Sequence, residues 1–263
     1  MGLSPDAIAH DAVLRRGSHM PIIGFGTWQI KGRLARESVL CALQTGYRHI
    51  DTATVYDNER EVGRSLIESG LAREQLFVTT KLPGDAKSVR RTIETSLSDL
   101  RIDYVDLWLV HWPPSRAASR SLYQEMLVVR DEGLARSIGV SNYSLGEIDD
   151  HVASTGETPE VNQVPWSPFL HRGSEQHDLD QRQIVLEGYS PFKESRLDDA
   201  VVGEIAATNG VSPAQVVLRW HIQHGIVVIP KSVHPDRIAE NFDIFGFSLD
   251  AESMQRLDGL SVR

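Results

Sequence analysis

Short runs of apolar, β-branched residues alternate with helical patterns from residue 22 to the end of the chain. This alternation is typical of β-α units, which build a parallel sheet with helices packed outside it. Eight runs have the pattern of strands, at residues 22–25, 47–51, 77–81, 105–110, 137–140, 160–163, 184–188 and 226–230. Helical patterns occupy residues 34–45, 59–68, 88–100, 122–132, 145–153, 199–208 and 213–223, followed by one that opens after the last strand and one that ends near Leu257.

Eight such strands can form either a doubly wound sheet or a closed barrel. A doubly wound nucleotide-binding sheet would have a glycine-rich turn and a helix after its first strand. Gly24-Phe25-Gly26 begins like that turn, but Gln29 occupies the sixth position and no helical pattern starts there. The length of 263 residues, 41% of them hydrophobic, is usual for an α/β barrel. We therefore predict a (β/α)8 TIM barrel, an α/β fold, in which residues 1–263 form one domain.

Residues 1–20 are expected to form a short N-terminal segment with a β-hairpin. The apolar pair Val13-Leu14 and the apolar residues 21–23 flank a small-residue stretch like two arms of a hairpin. That stretch, Gly17-Ser18-His19-Met20, also matches the residues that a cleaved expression tag commonly leaves. The sequence leaves both interpretations open.

The overall charge argues against several classes of partner. The formal net charge is −9, so the field of the protein repels polyanions and nucleic acid is an improbable partner. The single cysteine, Cys41, excludes an intrachain disulfide and a cysteine-based metal site, and the histidines show no paired metal spacing. No run approaches the roughly 20 apolar residues that cross a bilayer. We expect a cytoplasmic monomer without a bound metal.

Four residues of different chemistry lie at or just after the ends of three successive predicted strands, namely Asp51, Tyr56, Lys81 and His111. In a parallel barrel the carboxyl ends of the strands share one face, where active sites lie. An ammonium beside a phenol stabilises the phenolate, so we expect Lys81 to lower the pKa of Tyr56 and to make it a proton donor. Asp51 would pair with Lys81, and His111 would donate a hydrogen bond to a substrate carbonyl oxygen. Taken singly, each residue is more often a cap, a packing residue or a solvated charge; together they predict carbonyl reduction.

Eight short motifs in order make the chain resemble an aldo-keto reductase, of the bacterial 2,5-diketo-D-gluconate reductase-like type, from about Met20 to Leu260. They are Gly24-Phe25-Gly26-Thr27-Trp28, Arg48-His49-Ile50-Asp51-Thr52-Ala53 with Tyr56, Thr80-Lys81, Asp103-Tyr104-Val105-Asp106-Leu107 with His111-Trp112-Pro113, Ile138-Gly139-Val140-Ser141-Asn142, Val161-Asn162-Gln163, Tyr189-Ser190-Pro191 and Ile229-Pro230-Lys231-Ser232. The resemblance implies a (β/α)8 barrel that reduces aldehydes and ketones with NADPH through a tyrosine acid.

The resemblance also implies a binding site for NADP(H). Ser141, Asn142 and Gln163 match positions that hydrogen-bond the nicotinamide carboxamide, and Tyr189 matches the residue that stacks on the nicotinamide ring. The complete expected cofactor set is Gly26, Thr27, Trp28, Asp51, Ser141, Asn142, Gln163, Tyr189, Ser190, Pro191, Phe192, Lys231, Ser232, Val233, Arg237, Glu240 and Asn241.

The stretch after the last strand favours NADP(H) over NAD(H). Lys231 and Arg237 place positive charge near the start of a helix, which is a natural site for a phosphate. By resemblance, Ser232 and Arg237 hold the 2′-phosphate, while Glu240 and Asn241 contact the adenine end of the cofactor. A basic helix start without a ligand is the alternative.

The expected substrate pocket comprises Trp28, Tyr56, His111 and Trp112. The segment after Phe192, which in the resembled family often covers the cofactor, is short, and few residues follow the last helix. These features predict an open site for small aldehydes, ketones, dicarbonyls or keto sugars.

Two other functions fit the same sequence less well. The resembled family includes potassium-channel β subunits, so the chain can be a nucleotide-binding regulatory or sensor subunit with little turnover. A barrel hydrolase or isomerase without nicotinamide would require Lys231 and Arg237 to bind a phosphorylated substrate instead.

Overall fold

Eight parallel strands form one closed sheet in the computed structural model, which describes residues 10–193 and 196–261. Each strand pairs with its sequence neighbour, and the last strand meets the first through the bridge of Ile23 with Val228. The predicted (β/α)8 barrel is therefore confirmed. The barrel strands are β3 (Gly24–Gly26), β4 (His49–Asp51), β5 (Phe77–Leu82), β6 (Val105–Val110), β7 (Ala135–Ser141), β8 (Val161–Pro165), β9 (Val185–Tyr189) and β10 (Val227–Ile229).

Ten helices lie outside the sheet in the described part of the chain, and their ends follow from local capping. Ser212 and Gln215 form a capping box at the start of α8 (Pro213–Gln223), which has a proline in its first turn. Gly210 ends α7 (Ala200–Asn209) in the left-handed conformation, as expected. The helices are α1 (Gly32–Thr45), α2 (Glu59–Glu68), α3 (Val89–Leu100), α4 (Arg116–Asp131), α5 (Leu145–Thr155), α6 (Gly173–Gln181), α7 (Ala200–Asn209), α8 (Pro213–Gln223), α9 (Pro235–Phe242) and α10 (Ala251–Asp258).

Two helices differ from the sequence prediction. Helix α4 begins at Arg116, six residues before the predicted start at residue 122. The pattern missed these first turns because they have no apolar residue larger than alanine. Helix α6 was not predicted at all, since Leu179 is its only apolar residue. The first barrel strand was predicted at residues 22–25 but lies at Gly24–Gly26. Ile22 and Ile23 contact β10 only through one backbone hydrogen bond and an isolated bridge, before the regular pairing of β3 begins.

An N-terminal hairpin closes the amino end of the barrel, which we call the floor. Strand β1 (Asp11–Val13) pairs antiparallel with β2 (His19–Pro21), and Gly17 in the turn has a φ of +90°. The hairpin places Leu14 and Met20 inside the barrel, with exposed fractions of 1% and 0%. Gly17–Met20 are thus an integral part of the hairpin, and residues 1–9 of the predicted segment lie outside the described residues. The apolar floor consists of Leu14, Met20, Phe77, Leu107, Leu109, Val161 and Val227.

Side chains along one strand alternate between the barrel interior and the helical layer. On β5, Phe77 packs in the floor cluster, Val78 packs in the core under the helices, and Lys81 returns to the interior at the other end. The interior therefore changes from apolar to polar along the barrel axis. We call the polar end, at the carboxyl ends of the strands, the mouth.

Candidate active site

A cavity of about 820 Å³ opens at the mouth of the barrel. Its walls come from the ends of the strands and the loops that follow them, where barrel enzymes have their active sites. Most of the residues expected from the sequence line it, namely Gly26, Trp28, Asp51, Tyr56, His111, Trp112, Ser141, Asn142, Gln163, Tyr189, Ser190, Pro191, Phe192 and Lys231.

A buried ion pair lies directly under the cavity. The Nζ atom of Lys81 donates hydrogen bonds to both carboxylate oxygens of Asp51, at 2.6 and 2.7 Å, and to the carbonyl oxygen of Thr52 at 2.8 Å. Burial alone would lower the pKa of Lys81, but Asp51 and other negative neighbours raise it above its usual value. Burial raises the pKa of Asp51, and the charge and hydrogen bonds of Lys81 oppose that rise. We infer that the pair is ionised at neutral pH.

The hydroxyl of Tyr56 lies on the cavity side of this pair, 3.4 Å from the Nζ atom of Lys81. Tyr56 ends a 3-10 turn, Thr54–Tyr56, that follows β4. The expectation of a lowered tyrosine pKa was wrong. Burial raises the pKa of Tyr56; Lys81 opposes the rise, but the negative charge of Asp51 adds to it. The effect of burial on the pKa exceeds that of the ammonium, so Tyr56 is a protonated phenol at neutral pH.

His111 faces Tyr56 across the cavity. Their rings meet edge to face with centroids 5.6 Å apart. Burial, followed by the charge of Lys81, lowers the pKa of His111 to about 4. The imidazole is therefore neutral at neutral pH and can donate one N–H hydrogen bond to a substrate oxygen.

Polar side chains on β7, β8 and β9 form the opposite wall. The hydroxyl of Tyr189 donates to Asn142 Oδ1 at 2.8 Å, and Asn142 Nδ2 donates to the carbonyl oxygen of His111 at 3.0 Å. The hydroxyl of Ser141 donates to the carbonyl oxygen of Gln163 at 2.8 Å. The first two bonds fix the ring of Tyr189 and the amide of Asn142, and the Gln163 amide is held by Asp51, an arrangement that suits a flat ring with a carboxamide group.

Seven of the expected residues do not line the cavity. Lys81 and Thr27 are fully buried beneath it, and Thr27 donates its hydroxyl hydrogen bond to the carbonyl oxygen of Asp51 at 2.9 Å. The other five lie beyond Lys231: Ser232 and Val233 precede α9, Arg237 is in its first turn, and Glu240 and Asn241 are in its last turn. Arg237 is exposed there, whereas Ser232 and Asn241 are buried.

Sequence reasoning missed several residues of the rim. Lys31 and Lys193 join Lys231 around the cavity, so three ammonium groups lie around it in an acidic protein. Gln29, Val55 and Ile229 complete the lining. Lys31 and Lys193 lie in loops, and no sequence pattern indicates which loop side chains reach a cavity. The predicted short segment after Phe192 includes residues 194–195, which lie outside the described residues.

Backbone strain is concentrated at the mouth. Gln29, Asn142 and Ser190 line the cavity and have positive φ angles of 61°, 64° and 52°, and Asp57, next to Tyr56, has a φ of 54°. Such conformations are uncommon for residues other than glycine and tend to occur at functional sites. Four of the six described non-glycine residues with positive φ therefore lie at or beside the cavity.

Residues 10–193 and 196–261 contain neither a cluster of metal-ligating side chains nor a helix suited to crossing a membrane. No group of three or more histidine, cysteine, aspartate or glutamate side chains could hold a metal ion. None of the helices there combines the length and the apolar character that a membrane span requires.

Comparison with known proteins gives a consistent result. The model of the aldo/keto reductase family matches residues 22–187 and 171–262 of this chain. The chain is 40% identical over 246 residues to methylglyoxal reductase DkgA of Salmonella typhimurium, covering 92% of this chain and 90% of the relative. It is 38% identical over 262 residues to glyoxal reductase of Bacillus subtilis, covering 98% and 95%.

Solved structures agree with the fold. A crystal structure of an aldo/keto reductase from Brucella melitensis superposes with a TM-score of 0.92 at 39% identity, covering 97% of this chain and 100% of that one. A crystal structure of a mutant protein in complex with NADPH superposes with a TM-score of 0.91 at 35% identity, covering 98% and 95%.

Proposed function

This chain belongs to the aldo/keto reductase family and is an NADPH-dependent reductase of carbonyl compounds, and we propose that Tyr56 is its proton donor, with Asp51, Lys81 and His111 as the residues that make that donation possible. The observation that carries the assignment of roles is the contact of Tyr56 with the Asp51–Lys81 pair at the cavity wall. The named reductases among the relatives favour catalysis over the regulatory alternative.

The side chains at the mouth suit NADP(H). Three lysines at the rim can attract a polyanion, Tyr189 offers a flat face, and Gln163 and Asn142 offer amide groups. Lys231, Ser232 and Arg237, before and in the first turns of α9, would hold the 2′-phosphate. Bound NADPH would supply the hydride that reduces the carbonyl carbon.

The residues of this chain handle the oxygen end of the carbonyl. Neutral His111 donates a hydrogen bond that orients the substrate oxygen, and Tyr56 transfers its proton as negative charge develops on that oxygen. Lys81 then lies within hydrogen-bonding distance of the phenolate that remains. Asp51 keeps the Lys81 ammonium in place and charged.

The cavity is open enough to accept several kinds of small carbonyl compound. Trp28, Val55 and Trp112 line it with exposed fractions of 47%, 58% and 57%, so the wall remains open to solvent. Because relatives are named methylglyoxal and glyoxal reductases, we place small α-dicarbonyls first, before other aldehydes, ketones and keto sugars. We further propose that the protein acts as a cytoplasmic monomer.

The test of this function is the loss of NADPH absorbance when the purified protein meets methylglyoxal, glyoxal, simple aldehydes and keto sugars. We expect turnover with NADPH, fastest for the dicarbonyls. Tight NADPH binding without turnover of any carbonyl would instead favour the regulatory alternative.

The cofactor preference has its own test in Arg237→Ala. We expect NADPH to bind roughly 10- to 100-fold more weakly, since a charged hydrogen bond to a phosphate contributes about 1.5–3 kcal/mol, while NADH affinity changes little. Arg256→Ala is the matched control, because Arg256 pairs with Glu204 on the outer helices. Quenching of tryptophan fluorescence measures both affinities. An equal loss for NADPH and NADH would remove Arg237 from the 2′-phosphate site.

A further inference from the structure

A second buried carboxyl group lies beneath the Asp51–Lys81 pair and has no part in the mechanism above. Glu187 is on β9, with an exposed fraction of 0%. Its Oε2 atom accepts a hydrogen bond from Gln163 Nε2 at 2.9 Å, and the same nitrogen donates to Asp51 Oδ2 at 2.8 Å. One amide group of the cavity wall is therefore held between two carboxyl groups.

The charges in this cluster do not balance if both carboxyl groups are ionised. Lys81 is the ammonium among them, and both of its carboxylate bonds go to Asp51. His49 Nε2 lies 3.7 Å from Glu187 Oε1, but burial, followed by the charge of Lys81, lowers the pKa of His49 to about 3, so this ring is neutral. An unpaired buried carboxylate is strongly disfavoured, and such a group takes up a proton instead.

The proton falls on Glu187. Its Oε1 atom is buried and has no hydrogen-bond partner among the residues that the structure describes. Burial, followed by the negative charge of Asp51, raises the pKa of Glu187 to about 8. Asp51 and Glu187 thus have different states at neutral pH, although they share one amide donor.

We propose that Glu187 is a positioning residue that works in its protonated form: it holds the Gln163 amide against Asp51, and its loss of a proton slows carbonyl reduction. This inference rests on the proposed role of Tyr56 as proton donor. Neutral Glu187 leaves the positive charge of Lys81 to stabilise the Tyr56 phenolate that forms during reduction. Ionised Glu187 adds a negative charge to the cluster and disfavours that phenolate.

The direction of the pH effect follows from the groups around Glu187. His49 and Asp51 face it from β4 and Lys81 from β5, while β8 contributes neutral Gln163 and β10 contributes apolar Val227. The pKa values of Tyr56 and Lys81 lie above their ordinary values, so neither group titrates near pH 8. Reduction should be fast below the pKa of Glu187, where its proton is present, and should slow as the pH rises through that value.

The test compares the pH dependence of kcat in the wild type and Glu187→Gln with saturating NADPH, from about pH 6 to about pH 10. Glutamine has the shape of the protonated side chain and its oxygen can still accept from Gln163. We expect wild-type kcat to fall roughly fivefold or more between about pH 7 and about pH 9, and Glu187→Gln to lose this fall. A wild-type profile without the fall, or the same fall in Glu187→Gln, overturns the inference.

Glu160→Gln is the matched control, because Glu160 is the buried glutamate at the floor, where its Oε2 accepts from the backbone N–H of Arg16 at 3.2 Å. We expect it to keep the wild-type fall.

Infrared spectroscopy tests the protonation of Glu187 without any activity. The wild type at neutral pH should show a protonated carboxyl band that Glu187→Gln lacks and Glu160→Gln keeps. Absence of that difference overturns the inference even if carbonyl reduction is established. Conversely, if no carbonyl is reduced, the proposed function fails while the infrared result still decides the state of Glu187.

Discussion

The floor and the mouth of the barrel are the two ends of the same eight strands, and they differ in almost every physical property. At the floor, Leu14 and Met20 of the hairpin fill an apolar interior and leave almost no surface exposed. At the mouth, the interior holds the Asp51–Lys81 pair, and an open cavity lies above it. The floor buries apolar surface, which stabilises the fold. The mouth combines buried charge with strained backbone, and apolar burial at the floor must offset the cost of both.

This division means that changes at the floor should act on stability and changes at the mouth on activity. The one group that should act on both is the buried ion pair, because its charges are costly to separate and also adjoin Tyr56.

Lys81→Met should have the largest effect and should lower both stability and activity. It leaves Asp51 buried without its ammonium, which costs about 3–5 kcal/mol of unfolding free energy, and it also removes the charge beside Tyr56. Urea unfolding and the NADPH assay measure the two losses. The double variant Asp51→Asn with Lys81→Met should recover stability but not turnover. A loss below about 1 kcal/mol in the single variant would show that the pair is not buried as described.

Met20→Ala at the floor should lower stability alone. Removing this fully buried side chain leaves a cavity and should cost about 2–5 kcal/mol, with kcat per folded molecule unchanged. Val13→Ala on the same hairpin is the matched control, since Val13 is 61% exposed and should change stability little. A fall in kcat with intact folding would mean that the floor is coupled to the mouth.

Glu160→Gln should have the smallest effect and sharpens the contrast between carboxyl groups at the two ends. Burial raises the pKa of Glu160, so the folded state binds its proton more tightly than the unfolded state does. Its contribution to stability is present at low pH and is lost as the pH rises through the folded pKa. Glutamine removes that loss, so the variant should gain stability relative to the wild type as the pH rises from about 4 to about 7. Urea titrations at both pH values measure the gain, and an equal difference at the two would contradict it.

The sequence predicted elements with strong local signals and missed those without them. Helix α8 has the predicted bounds because Ser212 caps it and Pro213 opens it. Helix α6 escaped prediction because Leu179 is its only apolar residue, and α4 begins in turns that have no large apolar residue and whose helical state comes from the fold. Tertiary packing, rather than local propensity, decides such segments.

The same limit applies to the site. Asp51, Lys81 and His111 were foreseeable because each ends or follows a strand, and parallel strand ends meet at one face. The direction of the Tyr56 pKa shift was not foreseeable, because it depends first on how deeply the phenol is buried and then on the balance between the charges of Lys81 and Asp51. Glu187 lies within a predicted strand, yet only the register of the closed barrel shows that it shares an amide with Asp51.

The most direct test of the central claim is the comparison of Tyr56→Phe with the wild type in NADPH binding and in NADPH-dependent reduction of methylglyoxal. Phenylalanine keeps the ring against His111 and removes the proton. We predict NADPH affinity within about twofold of the wild type and turnover lower by a factor on the order of 10² or more, because the general acid is lost and the cavity is not. Turnover equal to that of the wild type would contradict the assignment of Tyr56 as proton donor.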